Sequence, residues 1–336
     1  MDWDSLTPQR LQVLEQFKKQ VQEEQLLKDE QHLASFDDYH LARFLRARAY
    51  NLKDAHTMLV ACLEWRRTVE GKGLATLYKE MDPFDFPERK HVSQHWPMYF
   101  HKTDKFGRPV NIQAFGSINV NELFKGISPE RHWQSIVVNA EALIAEVLPA
   151  VSTERAQHIE QVMVIIDLKG FSLSQFWQMK SLVQRALYAS QNYYPETMGK
   201  LVIINAPVTF AAIWKIIKPL IHERTVSKVE IYSSSYKDAL LSQIPAENLP
   251  ASLGGKCSCP GGCSNAGPWM DGRAERRAQW IAGEQARPGL PWVGEDVDLV
   301  AQSKAYHVGT IQLDEAEIEA VKAQQSQTAS AVPVSA

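Results

Sequence analysis

Apolar residues recur along this chain with two different periods, and the change of period divides it. Over residues 1–79 the pattern is helical. Ala55, Met58, Leu59, Cys62 and Val69 trace one 3.6-residue stripe, and Asn51 followed three residues later by Asp54 predicts where that helix starts. Leu41, Phe44 and Leu45 predict the apolar face of the preceding helix. Arg48 falls on that same face, with Arg43 and Arg46 turned the other way. The acidic, proline-rich segment MDPFDFPERK (81–90) predicts a linker.

From about residue 96 short apolar runs alternate with amphipathic stretches. The runs predict strands over 98–101, 110–115, 161–167, 201–205 and 228–232, and TDKFGRP between the first two predicts a hairpin turn. Residues 129–148 and 174–190 predict helices, the second with Phe176, Met179, Val183, Ala186 and Leu187 on one face. Strand, helix and strand at these spacings imply parallel pairing through right-handed crossovers. The expected fold class is α/β, with a helical N-terminal domain and a mixed β-sheet in the second.

One stretch does not fit a freely exposed surface. VTFAAIWKIIKPLI (208–221) is apolar around most of its circumference and carries only Lys215 and Lys218. A span needs roughly 20 apolar residues, so this helix must be buried or must cover something greasy. Phe210, Ile213, Trp214, Ile217 and Ile221 share one stripe of it, and Pro219 is expected to weaken its end. No window of the chain resembles a transmembrane helix.

Composition narrows the function classes. The 336 residues carry a net charge of −3, which gives no global field favouring nucleic acid or an anionic membrane. The N-terminus is charged from its start and lacks the apolar core of a signal peptide. Four cysteines do not make a disulfide framework, and a reducing cytosol is expected. From Gly261 onward Gly, Pro and polar residues dominate, with a basic run over 273–277 and a low-complexity tail from about residue 323 that is expected to be disordered.

Motifs of enzyme chemistry are missing. There is no G-x-G-x-x-G after a strand, no Walker-type loop and no G-x-S-x-G elbow. Cys257, Cys259 and Cys263 in CSCPGGC could hold a metal, but a structural zinc site wants four ligands and no histidine is near in sequence. A solvated or weakly packed loop is the preferred reading, and no metal is expected. His91 and His95 have i, i+4 spacing, yet Pro97 argues against a helix and favours a surface pair. Asp167 at a strand end reads as catalytic or, more often, as the organiser of the next turn. Arg48 is a functional cation or a snorkelling one. Together Arg48, Glu196, Thr225 and Lys228 would make an anion-and-hydroxyl site if the fold brought them together.

LARFLRARAYNL with EWRRT, FHKTDKFGRPV, IIDLKGFSLS, SQNYYPETMGKLVIINAP, KPLIHERTVSK and IPAENLPASLGGK occur in this order over residues 41–256. They closely resemble the CRAL-TRIO lipid-binding family, most nearly its fungal secretory-pathway phosphatidylinositol/phosphatidylcholine transfer type. The resemblance implies three parts: a helical N-terminal domain over 1–79, a lipid-binding domain over 80–256 and a C-terminal extension over 257–336. It implies a sheet-floored cavity for one phospholipid, closed by the helix after Pro207 acting as a gate. The family's phosphoinositide site maps onto Arg48, Glu196, Thr225 and Lys228. Ala49 departs from the pattern, since related proteins often carry lysine there. The second-ligand pocket maps onto Phe100, Asn111, Val162 and Val164, where relatives that hold choline headgroups have two tyrosines, a serine and a threonine. Phosphatidylcholine is therefore the less expected second ligand.

The reading is a non-enzymatic lipid-exchange protein without a cofactor other than its bound phospholipid. Phosphatidylinositol, a transiently contacted membrane surface and lipid kinases are its expected partners. It is expected to be a monomer, without nucleic acid, cytoplasmic and peripheral on Golgi or endosomal membranes. The rivals are a carrier of a sterol-like or other small hydrophobic ligand on the same fold, and an enzyme of another α/β superfamily.

Overall fold

A computed structural model describes residues 7–28 and 36–290. The expected tail disorder lies outside the described residues. Three helices open the chain: α1 (Pro8–Glu23), α2 (Asp38–Ala47) and α3 (Leu52–Thr68). Leu14, Phe17, Phe44, Leu45 and Leu59 close a core of their own between them. The Asn51 side chain accepts from the Asp54 amide at 3.1 Å, so the helix start read from that pair forms as a cap.

The expected faces of α2 need correction. Arg43 and Arg46 are buried, and Arg46 pairs with Glu160 at 2.6 Å, because α2 is covered on both sides. A buried guanidinium needs such a carboxylate, and here it comes from far along the chain. Arg48 is not on the helical face at all. The helix ends at Ala47, Arg48 is its C-cap, and Ala49 and Tyr50 turn away with left-handed φ of 50° and 61°.

Two short helices, α4 (Leu74–Glu80) and α5 (Arg89–His95), flank the segment expected to be a linker. That segment is instead packed: Met81, Phe84 and Phe86 belong to the main core. Asp82 receives Arg273 and Arg277 from the C-terminal extension, which holds it in place. His91 and His95 do sit on a helix, since α5 ends just before Trp96-Pro97. The His91 ring meets the carbonyls of Glu122 and Leu123 at 3.1 and 3.0 Å.

Among the described residues five strands form one mixed sheet in the order β1 (Met98–Thr103), β2 (Pro109–Gln113), β3 (Val162–Asp167), β4 (Met198–Ile204) and β5 (Val229–Ile231). The first two form an antiparallel hairpin and the remaining pairs are parallel. Asp167 organises a turn, as its Oδ1 accepts from the Lys169 amide at 2.9 Å and from Asn205 at 2.8 Å. The helices α6 (Val120–Gly126) and α7 (Pro129–Ala142) follow the hairpin. The chain then runs through a π turn (Leu143–Val147) into α8 (Leu148–Arg155). On one face of the sheet lie α7 and α9 (Leu173–Tyr193), with α10 (Phe210–Ile217) and the short α11 (Glu223–Val226) after β4. The other face packs Val110, Ile112, Met163, Ile165, Val202 and Ile204 on α12 (Lys237–Gln243) through Leu240 and Ile244. The helix α13 (Arg273–Ala282) closes the described chain.

The run from Pro129 to Arg155 corrects two expectations. It continues beyond residue 148, and by length and composition its 27 residues could cross a membrane, yet 72% of its most apolar window is buried inside the fold. A core helix passes the same test. Pro149 has no amide to give the Ala145 carbonyl, and the π turn absorbs that defect. Gly289 lies against the freed oxygen, where a Cβ would come within 1.9 Å of it. The same turn presents Glu146, which is 1% exposed, to Tyr78 and to the Arg273 guanidinium at 2.6 and 2.9 Å. The basic run over 273–277 is thus partly interior, with Arg273 and Arg277 buried.

Two imidazoles, His132 buried and His40 half-buried, make stability depend on acid. Burial pushes His132 down to about 4, and burial with the neighbouring Arg43 charge brings His40 to about 4 despite Asp37. Unfolded, each takes a proton near 6.5. Between those values the unfolded chain binds more protons, so stability falls as pH drops through the window. From pH 7 to pH 5 each should cost about 2 kcal/mol. Urea unfolding midpoints at the two pH values check this, and equal midpoints would contradict it.

Candidate functional site

The strand register brings one row of side chains across the inner face of the sheet. Phe100 pairs with Asn111, Asn111 with Val164 and Val164 with Leu201. Because side chains alternate along a strand, Val162 shares this face two residues before Val164. All five line a cavity of about 370 Å³, the size range of a small-molecule site. Its walls are α7 and α9, and its outer side is α10. Phe210, Ile213, Trp214, Ile217 and Ile221 all line it. Phe210 and Ile213 are buried, whereas Lys215 and Lys218 point to solvent. The helix ends at Ile217 in a 3₁₀ turn over Lys218–Leu220, as a proline at 219 requires.

The cavity lining is overwhelmingly apolar. Asn111 and Gln113 are its polar groups on the floor, and they satisfy each other, with Gln113 Nε2 donating to Asn111 Oδ1 at 2.6 Å. Phe100 is backed by Trp269 of the C-terminal extension in an edge-on contact at 6.1 Å. Tyr194 lines the cavity and donates to Glu141 at 3.1 Å, and Glu141 is held bidentate by Arg66 at 2.9 and 2.5 Å. This buried trio ties α3, α7 and the turn after α9. The Glu141 charge outweighs burial to hold the Arg66 guanidinium protonated far above its usual range.

At one end of the cavity lies a charged cluster. Lys228 Nζ donates to Glu196 Oε2 at 3.1 Å and to the carbonyl of Met198, a cavity residue, at 2.9 Å. Arg224 meets the same Glu196 oxygen at 3.3 Å. Glu196 is placed by a turn in which its own φ is 59° and the Thr197 hydroxyl donates to the Tyr194 carbonyl at 3.0 Å. A non-glycine residue held left-handed costs roughly 1 kcal/mol or more and marks a position fixed by its surroundings.

Of the four residues singled out in the sequence, the fold joins Glu196 and Lys228 directly. Thr225 is one residue from Arg224, and its carbonyl accepts from the Lys228 amide at 3.1 Å. Arg48 makes no ion pair with the other three, and its guanidinium donates to its neighbour's carbonyl, Ala47, at 3.2 Å. It is nonetheless close by, since Arg224 donates to the Arg46 carbonyl at 3.3 Å. Arg224 itself was missed. Its signal was the density of charge in HERTVSK directly after the apolar helix. None of the four expected residues lines the cavity; they adjoin it through Thr197 and Met198. The cluster joins two cations to one carboxylate beside a greasy chamber. It can receive a phosphate and hydroxyls while acyl chains lie among the apolar walls.

Comparison with known proteins gives the same architecture. The CRAL/TRIO domain matches residues 93–255, and the CRAL/TRIO N-terminal domain matches residues 13–61. The chain is 43% identical over 237 residues to the Sec14 cytosolic factor of Schizosaccharomyces pombe, covering 70% of this chain and 81% of that one. It is 35% identical over 241 residues to phosphatidylinositol/phosphatidylcholine transfer protein SFH7 of Arabidopsis thaliana, covering 70% of this chain and 43% of the relative. The crystal structure of Sfh5 shares the fold at 17% identity and a TM-score of 0.59, covering 84% of this chain and 98% of that one.

Proposed function

The chain belongs to the CRAL/TRIO family, and from that premise we propose that it binds phosphatidylinositol and transfers it between membranes without chemical turnover. Acyl chains occupy the cavity, and Arg224, Lys228, Thr225, Glu196 and Arg48 receive the headgroup. Apolar area in the cavity gives affinity at about 25 cal/mol per Å² buried, while the cluster selects the head. The cytosolic naming of fungal relatives supports a cytoplasmic protein that meets membranes transiently. Presentation of the lipid to a kinase is compatible with the same site.

The observation that carries the reading is the Lys228–Glu196–Arg224 cluster at the end of an apolar cavity. A charge-assisted hydrogen bond is worth roughly 1.5–3 kcal/mol, so Lys228→Ala should slow phosphatidylinositol transfer about tenfold or more. Unchanged transfer by a folded Lys228→Ala protein would sink the assignment.

The floor favours an apolar second ligand. Phe100, Val162 and Val164 offer a phosphocholine no donor, and a phosphate buried there would lack partners. Phosphatidylcholine should therefore move much more slowly than phosphatidylinositol in parallel transfer assays. Val162→Ser with Val164→Thr should raise phosphatidylcholine transfer. Equal wild-type rates would show that other groups hold choline. A sterol-like ligand in the same cavity is the second reading, and lipid extraction from the purified protein separates the two.

A further inference from the structure

CSCPGGC does not stand alone in the fold. The segment that follows it returns along the free edge of the sheet: the Lys102 amide donates to the Ala266 carbonyl at 2.7 Å, and the Phe100 amide to Asn265 Oδ1 at 3.3 Å. This covers the outward backbone groups of β1, an edge that would otherwise be open to pairing. Phe100 faces the lipid cavity, so His101, next along the strand, faces the opposite side. There it meets the thiols of Cys257, Cys259 and Cys263. One donor atom from each of the four lies within 4.8 Å of all the others.

His101 is 0% exposed, and neither ring nitrogen has a hydrogen-bond partner. The Cys263 backbone carbonyl lies close to the ring, outside hydrogen-bonding geometry. A fully buried imidazole without partners is costly, and what its ring meets is three sulfurs. All three thiols are free, and the Cys257 and Cys259 sulfurs are 3.4 Å apart. That is far from a disulfide bond of about 2.05 Å. Metal–ligand bonds of about 2.3 Å to sulfur and 2.0–2.1 Å to nitrogen give tetrahedral edges of about 3.8 and 3.6 Å. The Cys257–Cys259 separation of 3.4 Å and the 4.8 Å bound on the others bracket those edges. Gly261 and Gly262, with φ of 82° and 100°, let the loop fold tightly enough to return Cys263 to the other two.

We propose that His101, Cys257, Cys259 and Cys263 form a tetrahedral zinc site that fastens the C-terminal extension to the edge strand of the lipid-binding domain. Three thiolates and one imidazole suit zinc rather than magnesium or calcium. Four protein ligands leave no open position, so the site is structural. It lies on the face of the sheet opposite the lipid, and its ligands come from parts of the chain more than 150 residues apart in number (101 against 257). The sequence shows the three thiols and hides the fourth ligand.

The test is elemental analysis of the full chain, expressed with zinc supplied and purified without chelator or polyhistidine tag. About one zinc per chain is expected, with a Cys62→Ser control, remote in the N-terminal core, retaining it. Cys259→Ser, Cys263→Ser and His101→Ala should each lose most of the metal. His101 lies inside β1 and its variant could misfold, so Cys263→Ser, on a half-exposed loop, is read alongside it by circular dichroism. Cobalt(II) added to the metal-free wild type should give the intense visible bands of tetrahedral cobalt with thiolate ligands, and a weaker, shifted spectrum in Cys263→Ser. A chelator should lower the melting temperature of the wild type and leave that of Cys263→Ser unchanged. Wild-type protein with less than about a tenth of an equivalent of zinc, or full zinc in Cys259→Ser and Cys263→Ser, would overturn the proposal.

Discussion

Ile217→Glu is expected to abolish lipid transfer. Ile217 lies on the stripe of α10 that lines the cavity with Phe210, Ile213 and Trp214, while Lys215 and Lys218 face outward. A carboxylate at 217 must either enter an apolar chamber without a partner or hold the helix away from it. Burying it unpaired costs several kcal/mol, which is enough to disfavour the closed state. On the gating motion that the family resemblance implies, the same stripe also enters the membrane interface, as amphipathic interfacial helices do. The substitution opposes both ends of the cycle. Lys215→Glu, on the solvent side, should leave the fold intact and slow exchange with anionic vesicles. Hydrogen exchange over residues 208–221, with and without vesicles, measures the motion itself. Equal protection in both conditions while transfer proceeds would place the gate elsewhere.

Arg273→Ala is expected to destabilise the protein by about 3–5 kcal/mol, the cost of leaving a buried carboxylate without its cation. Glu146 is 1% exposed and has Tyr78 and Arg273 as its hydrogen-bonding partners, and Arg273 also reaches Asp82 at 2.8 Å. Removing the guanidinium leaves Glu146 in the interior beside the Tyr78 phenol, while half-buried Asp82 keeps Arg277. The Arg273 ring contact with Phe84 is lost as well. Lysine would supply a charge without the fork, so Arg273→Lys should recover only part of the loss. The measurement is the urea unfolding midpoint with its slope. A loss below about 1 kcal/mol, typical of a surface pair, would show that the C-terminal extension is an appendage and not part of the core.

The strands were readable because short apolar runs such as Leu201–Ile204 are bounded by breakers, here Gly199, Asn205 and Pro207, and the hairpin because TDKFGRP is turn chemistry. The apolar helix over 208–221 was readable as a cover, since its composition does not suit open water. Charged residues were read least well. Arg43 and Arg46 were read as turned away from the apolar face, but both are buried, and Arg46 finds Glu160, 114 residues further on. Arg273 and Arg277 were read as a basic run for the same reason, their carboxylates being Asp82 and Glu146. In MDPFDFPERK the two prolines were given weight over the two phenylalanines, and the phenylalanines pack into the core. Pairings of this kind depend on which distant segments meet, and local periodicity carries no record of that. Likewise Arg224 became visible as a site residue only when β4 and α11 placed it on Glu196.

The central claim is that the cavity carries phosphatidylinositol with its headgroup at Glu196, Arg224 and Lys228. Mass spectrometry of lipids retained by the protein after purification from a eukaryotic host tests it most directly. The account predicts about one phospholipid per chain, as a single cavity of this kind holds one ligand, with phosphatidylinositol enriched over its share of host membranes and that enrichment lost in Lys228→Ala. Retained lipid that mirrors host membrane composition, or the same phosphatidylinositol enrichment in wild type and Lys228→Ala, would contradict it.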